Sequence, residues 1–267
     1  MKSYSTTFNP ALLVIDVQNG FMSNGGSYHH LGMKISNYQQ IIPTLRELIS
    51  ICRKHNVPVF YTQAVRESSG IDLLTRSHRI LPKAREERIK KRPICVRGTW
   101  DAKILDAIKP TNKDHIVIKR RDSAFQDTET EVWLNSLKVN TLIFCGIDTS
   151  ICVETSLRDG FNRGYDVILI SDATASSNIR HYKTTIEHVK EYYGLVLKAR
   201  EMEKLMEANM KGGYLEKIKI ISSGRSDLDK EVIRIINKMP LWKPGLQNGK
   251  PVSVYFNLPV TFKSADE

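Results

Sequence analysis

No stretch of this chain approaches the roughly 20 consecutive apolar residues that a membrane-spanning helix needs. The N-terminal M-K-S-Y-S-T-T-F-N-P also lacks the apolar core of a secretory signal. Cysteine is scarce: Cys52, Cys95, Cys145 and Cys152 show no C-x-x-C pairing and no histidines at zinc-finger spacing. Free thiols in a reducing, cytoplasmic setting are therefore expected rather than a disulfide framework or a zinc module. Aromatic residues interleaved with basic ones, as single-stranded RNA binding would need, are missing too. The net charge of +11 comes from 40 basic and 29 acidic residues. The basic residues are scattered, apart from K-A-R-E-E-R-I-K-K-R (83–92) and K-R-R (119–121). A nucleic-acid face needs concentrated positive charge, so 83–92 is expected to be a solvated helix or loop, and no nucleic-acid partner is expected.

What the chain does have is alternation. Apolar, β-branched runs at 11–15, 57–62, 115–119, 141–145 and 166–170, with a shorter one at 194–197, read as strands. Near-continuous apolar strands are buried on both faces, as in a parallel sheet. Helical patterns lie between them at 41–55, 102–108, 128–137, 152–161, 179–191 and 200–210. Strand and helix repeating in this way predict an α/β fold: a doubly wound, Rossmann-like, mostly parallel six-stranded sheet over residues 1–210. Residues 63–100 carry no clear strand, and a connection of that length in such a fold often belongs to the active site. Beyond 210 the pattern changes. A strand at 217–221, an amphipathic helix at 227–239 and a strand at 251–262 predict a small α+β segment over 211–267.

Doubly wound sheets bind ligands beyond the C-terminal ends of their strands. Those ends carry Asp16 after the first strand, Lys119 after the third, and Gly146 to Cys152 after the fourth. A thiol, an acid and a cation converging there have a chemical logic. A thiolate forms more readily at a helix N-terminus and near a cation, and Thr149 or Ser150 is placed to cap the helix. Asp16 can take the thiol proton and return it to a leaving amine. Cys145, inside an apolar run, suits packing better. Taken singly, each residue also has a structural explanation; the joint pattern carries the reading.

L-L-V-I-D-V-Q-N-G-F, V-I-K-R-R-D-S-A-F and C-G-I-D-T-S-I-C-V-E-T-S-L-R-D-G together resemble the isochorismatase-like cysteine hydrolases from about residue 8 to 208. The resemblance implies a catalytic triad of Asp16, Lys119 and Cys152 and a cis peptide between Ile147 and Asp148. It also implies an oxyanion hole from the backbone N–H groups of Asp148 and Cys152. Isochorismatases proper lack the nucleophilic cysteine, so Cys152 points to the amidohydrolase branch, in particular the ureidoacrylate amidohydrolase type. Nicotinamidases of that branch usually carry an Asp/His metal cluster after the second strand. Here that place reads Y-T-Q-A-V-R-E-S-S-G (61–70), so neither metal nor other cofactor is expected. The implied substrate is a small planar ureido, carbamoyl or amide compound, and the family implies a homo-oligomer. A metal-free nicotinamidase-like amidase and an inactive hydrolase-fold scaffold are the alternatives. Phe21, Trp100 and Phe125 are expected to line the substrate pocket, and Gln18 to hold Asp16 or Lys119 by hydrogen bonding. Asp148 stands where the family more often has a small or uncharged residue. Its carboxylate would oppose negative charge at an oxyanion hole unless it points away or is paired.

Residues 226–263, with M-P-L-W-K-P and G-K-P-V, resemble part of the C-terminal domain of TonB-like energy transducers. The expectation for this tail is an accessory module with an unidentified partner.

Overall fold

In the computed structural model, six parallel strands run in the order β3-β2-β1-β4-β5-β6. They are β1 (Pro10–Ile15), β2 (Val59–Ala64), β3 (His115–Lys119), β4 (Thr141–Ile147), β5 (Asp166–Ala175) and β6 (Leu195–Leu197). The structure describes residues 8–91, 93–211, 226–238, 245–247 and 250–252, together with 258 and 260. The order reverses between β1 and β4, whose partners run from Pro10 opposite Thr141 to Ile15 opposite Gly146. This neighbouring pair is the switch point at which doubly wound sheets open a crevice.

Every residue of β1 and β4 is buried, as their unbroken apolar composition requires. The main helices are α1 (Ile42–Lys54), α2 (Lys83–Lys91), α3 (Thr130–Ser136), α4 (Glu154–Asn162), α5 (Ile179–His188) and α6 (Ala199–Lys211). One part of the core gathers Leu13, Ile15, Phe60, Leu142, Phe144 and Leu169 from the sheet with Leu134 of α3 and Leu157 of α4. The remaining sheet residues, such as Leu12, Val14 and Ile143, are buried as well. At α1 the buried positions are Leu45, Leu48, Ile49, Ile51 and Cys52, the spacing of one amphipathic stripe.

Gly146 ends the apolar run of β4 with φ 103°, and a Cβ there would come within 2.2 Å of the Ile15 carbonyl oxygen. Only glycine lets β4 pass this close to β1.

One expectation changes. Residues 102–108 do not form a helix; only Asp106–Ile108 makes a short 3-10 turn. The helical spacing of A-K-I-L-D-A-I is overridden because Ile104 bridges Gln18 and the Leu105 N–H donates to the Val17 carbonyl at 3.0 Å. Of the stretch 63–100, Gln63 and Ala64 complete β2, and the connection that follows holds a short turn at Leu74–Ser77 and α2, which agrees with the solvated helix or loop expected at 83–92.

The chain divides into two compact units, Asn9–Glu203 and Met1–Phe8 with Lys204–Glu267. In the second, α7 (Ser226–Lys238) occupies the predicted helix, and β7 (Gly245–Gln247) pairs antiparallel with β8 (Lys250–Val252). The strand expected at 217–221 lies outside the described residues. Of the one expected at 251–262, Pro251 and Val252 belong to β8, and Leu258 and Val260 lie outside any strand. Among the described residues no helix is long and apolar enough to cross a membrane.

Candidate active site

The crevice beyond β1, β3 and β4 is a cavity whose lining includes Asp16, Lys119, Asp148 and Cys152. Asp16 follows β1 with φ 51°, a left-handed conformation uncommon for a side-chain-bearing residue. Thr62 of β2 holds it from both directions: the Asp16 N–H donates to Thr62 Oγ1 at 3.0 Å, and that hydroxyl donates to Asp16 Oδ1 at 2.6 Å. The other carboxylate oxygen, Oδ2, meets Lys119 Nζ at 2.8 Å, with the lysine side chain 1% and the aspartate side chain 3% exposed. Among the described residues Oδ2 has no well-directed hydrogen bond, and the lysine charge is what it faces. Lys119 places its remaining protons on the carbonyl oxygens of Arg121 at 3.0 Å and Asp122 at 3.1 Å. Burial pulls the lysine pKa down, but Asp16 and Cys152 act against it and the net shift is upward, so the ammonium is charged.

Cys152 sits in a single π-type turn, Thr149–Val153, that leads into α4. Its surroundings are dense protein except where it faces the cavity, and burial raises its pKa well above the ordinary thiol value. Lys119 pulls the other way, Asp16 and Asp122 add to the rise, and the net direction is up. Desolvation outweighs the cation, and the resting residue is a thiol that needs a base.

The turn is capped by Asp148 rather than by Thr149 or Ser150. Asp148 Oδ1 accepts from the Ser150 N–H at 3.0 Å, Ser150 Oγ at 2.9 Å and Ser176 Oγ at 2.6 Å. Oδ2 accepts from Tyr38 Oη at 2.8 Å and the Ser177 N–H at 3.1 Å. Five donors thus hold this carboxylate as a structural node. Thr149 instead bonds Thr174 at 2.8 Å, and Thr174 donates to the Gly146 carbonyl at 2.9 Å. The Ile147–Asp148 peptide is cis.

Of the expected pocket residues, Phe21 lines the cavity, its ring 4.8 Å from that of Tyr28 in an edge-on contact. Phe125 does not. Its ring is in the core, 6.3 Å from Tyr165 and beneath the Arg163 guanidinium, because the turn before it is pinned by Ser123. Trp100 is 48% exposed and outside the cavity. Its neighbour Asp101 anchors that loop by accepting from Ser27 Oγ at 2.6 Å and the Cys95 N–H at 2.8 Å. Gln18 does not hold Asp16 or Lys119 through its side chain. Its amide matches backbone instead, accepting from the Ala64 N–H at 2.8 Å and donating to the carbonyls of Ala64 at 2.9 Å and Ala102 at 2.7 Å. It thereby fixes the end of β2.

Sequence reasoning missed Tyr28, Arg66, Arg85, Arg88, Cys95 and Asp122, all in the lining. Arg85 and Arg88 lie in the basic run 83–92, whose composition gives no sign of which side faces a cavity. Among the described residues no group of three His, Cys, Asp or Glu side chains gathers closely enough in this cavity to hold a metal ion.

Residues 10–201 match the Isochorismatase domain family, and residues 210–264 match the C-terminal domain of Gram-negative TonB proteins. The chain is 30% identical over 199 residues to the ureidoacrylate amidohydrolase RutB of Methylobacterium radiotolerans, covering 72% of this chain and 76% of that one. The corresponding protein of Azorhizobium caulinodans is also 30% identical, over 193 residues, covering 70% and 85%. Among solved structures, a cysteine hydrolase from Pseudomonas syringae pv. phaseolicola superposes with a TM-score of 0.65 at 26% identity, covering 75% of this chain and 93% of that one. The family match, the parallel sheet and the crevice at its switch point agree, and the chain belongs to the isochorismatase-like hydrolase family.

Proposed function

We propose that the protein is a cysteine-dependent amidohydrolase that cleaves a small ureido, carbamoyl or amide compound and releases ammonia. The observation that carries this reading is the meeting of Cys152, Asp16 and Lys119 in one cavity, with Asp16 Oδ2 facing the lysine ammonium at 2.8 Å. The similarity to ureidoacrylate amidohydrolases supports it.

The steps follow from the electrostatics. Asp16 accepts the thiol proton as Cys152 attacks the substrate carbonyl, and Lys119 offsets the charge developing on sulfur. Backbone N–H groups of Asp148 and Cys152 receive the oxyanion. Collapse of the tetrahedral intermediate breaks the C–N bond, Asp16 returns its proton to the leaving nitrogen, and an acyl thioester remains on Cys152. Water activated by Asp16 then hydrolyses that thioester. With a carbamoyl substrate whose amine leaves first, the carbamate released from Cys152 decays to carbon dioxide and ammonia.

The test is ammonia release from ureidoacrylate, biuret, N-carbamoylsarcosine and nicotinamide, with Cys152→Ala run in parallel. Release from a ureido compound that vanishes in the variant is the expected result. Equal release by both proteins, or none from any compound by folded protein, sinks the reading.

A further inference from the structure

The charges around the cavity do not cancel. Its lining holds three carboxylates, Asp16, Asp122 and Asp148, and each is already engaged. Asp16 faces Lys119 at 2.8 Å, Asp122 is gripped by Arg85 at 2.8 Å through both oxygens, and Asp148 accepts from five neutral donors. Of the other arginines in the lining, Arg66 and Arg88 contact no carboxylate among the described residues. Arg66 donates only to the main-chain carbonyls of Val65 at 3.2 Å and Arg120 at 3.0 Å. Arg88 donates to the Ala84 carbonyl at 3.1 Å and touches the Met33 sulfur at 3.9 Å. Both are half-buried, so solvent screens them less than it would a surface pair. Beside Arg88 stands Tyr28, whose hydroxyl has no hydrogen-bonding partner among the described residues and which feels both Arg88 and Cys152. Sidewall cations left over after every lining acid is matched create a positive potential at the mouth of the reacting centre.

We propose that Arg66 and Arg88 form an anion subsite, with Tyr28 as a further donor, that selects substrates carrying a carboxylate beside the amide or ureido group under attack. The basic run 83–92 is then part of the specificity apparatus, because α2 turns Arg85 toward Asp122 and leaves Arg88 for the ligand. This rests on the reading of the cavity as the substrate site, and it adds what the substrate must carry. Arginine suits the task, since its fork meets a carboxylate in two parallel hydrogen bonds.

Alkylation of Cys152 tests it without knowledge of the substrate. Iodoacetate and iodoacetamide are nearly the same size and differ in charge, and a free thiol in solution reacts faster with the neutral reagent. In the full-length protein, Cys152 is expected to reverse that order and favour iodoacetate by about tenfold or more, saturably and less so in high salt. Arg88→Gln and Arg66→Gln should each erode the preference, and Arg88→Lys should retain much of it. With ureidoacrylate and its neutral methyl ester as substrates, Arg88→Gln should raise KM for the acid by about 10- to 100-fold while kcat and the ester change little. Labelling of Cys152 without a preference for iodoacetate, or a preference that survives both glutamine variants, overturns the anion subsite and leaves the hydrolase reading standing. A preserved preference with no ammonia from any substrate overturns the hydrolase reading alone. Failure of both reagents to label Cys152 in folded protein overturns the two together.

Discussion

Lys119 Nζ lies 2.8 Å from Asp16 Oδ2 with both side chains almost wholly removed from solvent. A buried pair of this kind is worth little net stability, but removing one member strands the other charge, at a cost of about 3–5 kcal/mol. Lys119→Met and Asp16→Asn are each expected to destabilise by that order and to abolish ammonia release. The double variant should cost less than the sum of the two. Urea denaturation of all four proteins gives the coupling; additive losses would mean that the pair is not coupled as the geometry implies.

Cys152→Ala should leave stability within about 1 kcal/mol, since it removes one sulfur facing a cavity, and should cut turnover by at least about a thousandfold. Mass spectrometry of wild type quenched during turnover should find an acyl adduct on the peptide containing Cys152. An adduct on Cys95 would reassign the nucleophile.

Asp148→Ala withdraws one cap and leaves Tyr38, Ser150, Ser176 and Ser177 without their shared acceptor. A loss of about 2–4 kcal/mol is expected from the cap and the stranded donors together. Asp148→Asn should be nearly as damaging, because its amide would aim a donor at groups that already donate. A thermal midpoint unchanged in both variants would show that the node is not structural.

Alkaline pH should unfold the protein early. Burial pushes Cys52 up to about 12 and carries Cys95, Cys145 and Cys152 upward as well. Lys119, raised by Asp16 and Cys152 against the pull of burial, shifts in the same direction. The folded chain therefore holds protons that the unfolded chain releases above about pH 8.5 for thiols. Stability must fall as pH rises through that range, by about 1.4 kcal/mol per pH unit for each such group. Chemical denaturation at pH 7, 9 and 10 checks this; a flat profile would contradict it.

The strands were legible because both faces of this sheet are covered, which forces unbroken apolar runs such as T-L-I-F-C. The strand ends were legible for the same reason: polar residues begin where the sheet stops, and there Asp16, Lys119 and Cys152 stand. Other features depend on what a residue meets after folding. Phe125 and Phe21 are the same residue type near the same crevice, yet the turn at Ser123 sends one inward to the core while Tyr28 receives the other. Asp148 was suspect as a bare charge, and its five donors come in part from Tyr38, Ser176 and Ser177, distant in sequence. Helix α2 has no buried residue and so no apolar stripe from which its orientation could be read. The protonation of Cys152 follows from how tightly its neighbours exclude water, which no local pattern encodes.

The strand order has a consequence for the making of the enzyme. Cys152 and Asp16 come from adjacent strands, but Lys119 arrives on β3, at the edge of the sheet and two places from β1. Every contact among the three is long-range in sequence, so none forms until separate βα units have docked in register. Hydrolysis is thus an assay of finished folding: a collapsed chain with native helices but an undocked edge strand would retain the thiol and lack its cation. Recovery of turnover during refolding should be among the last signals to return.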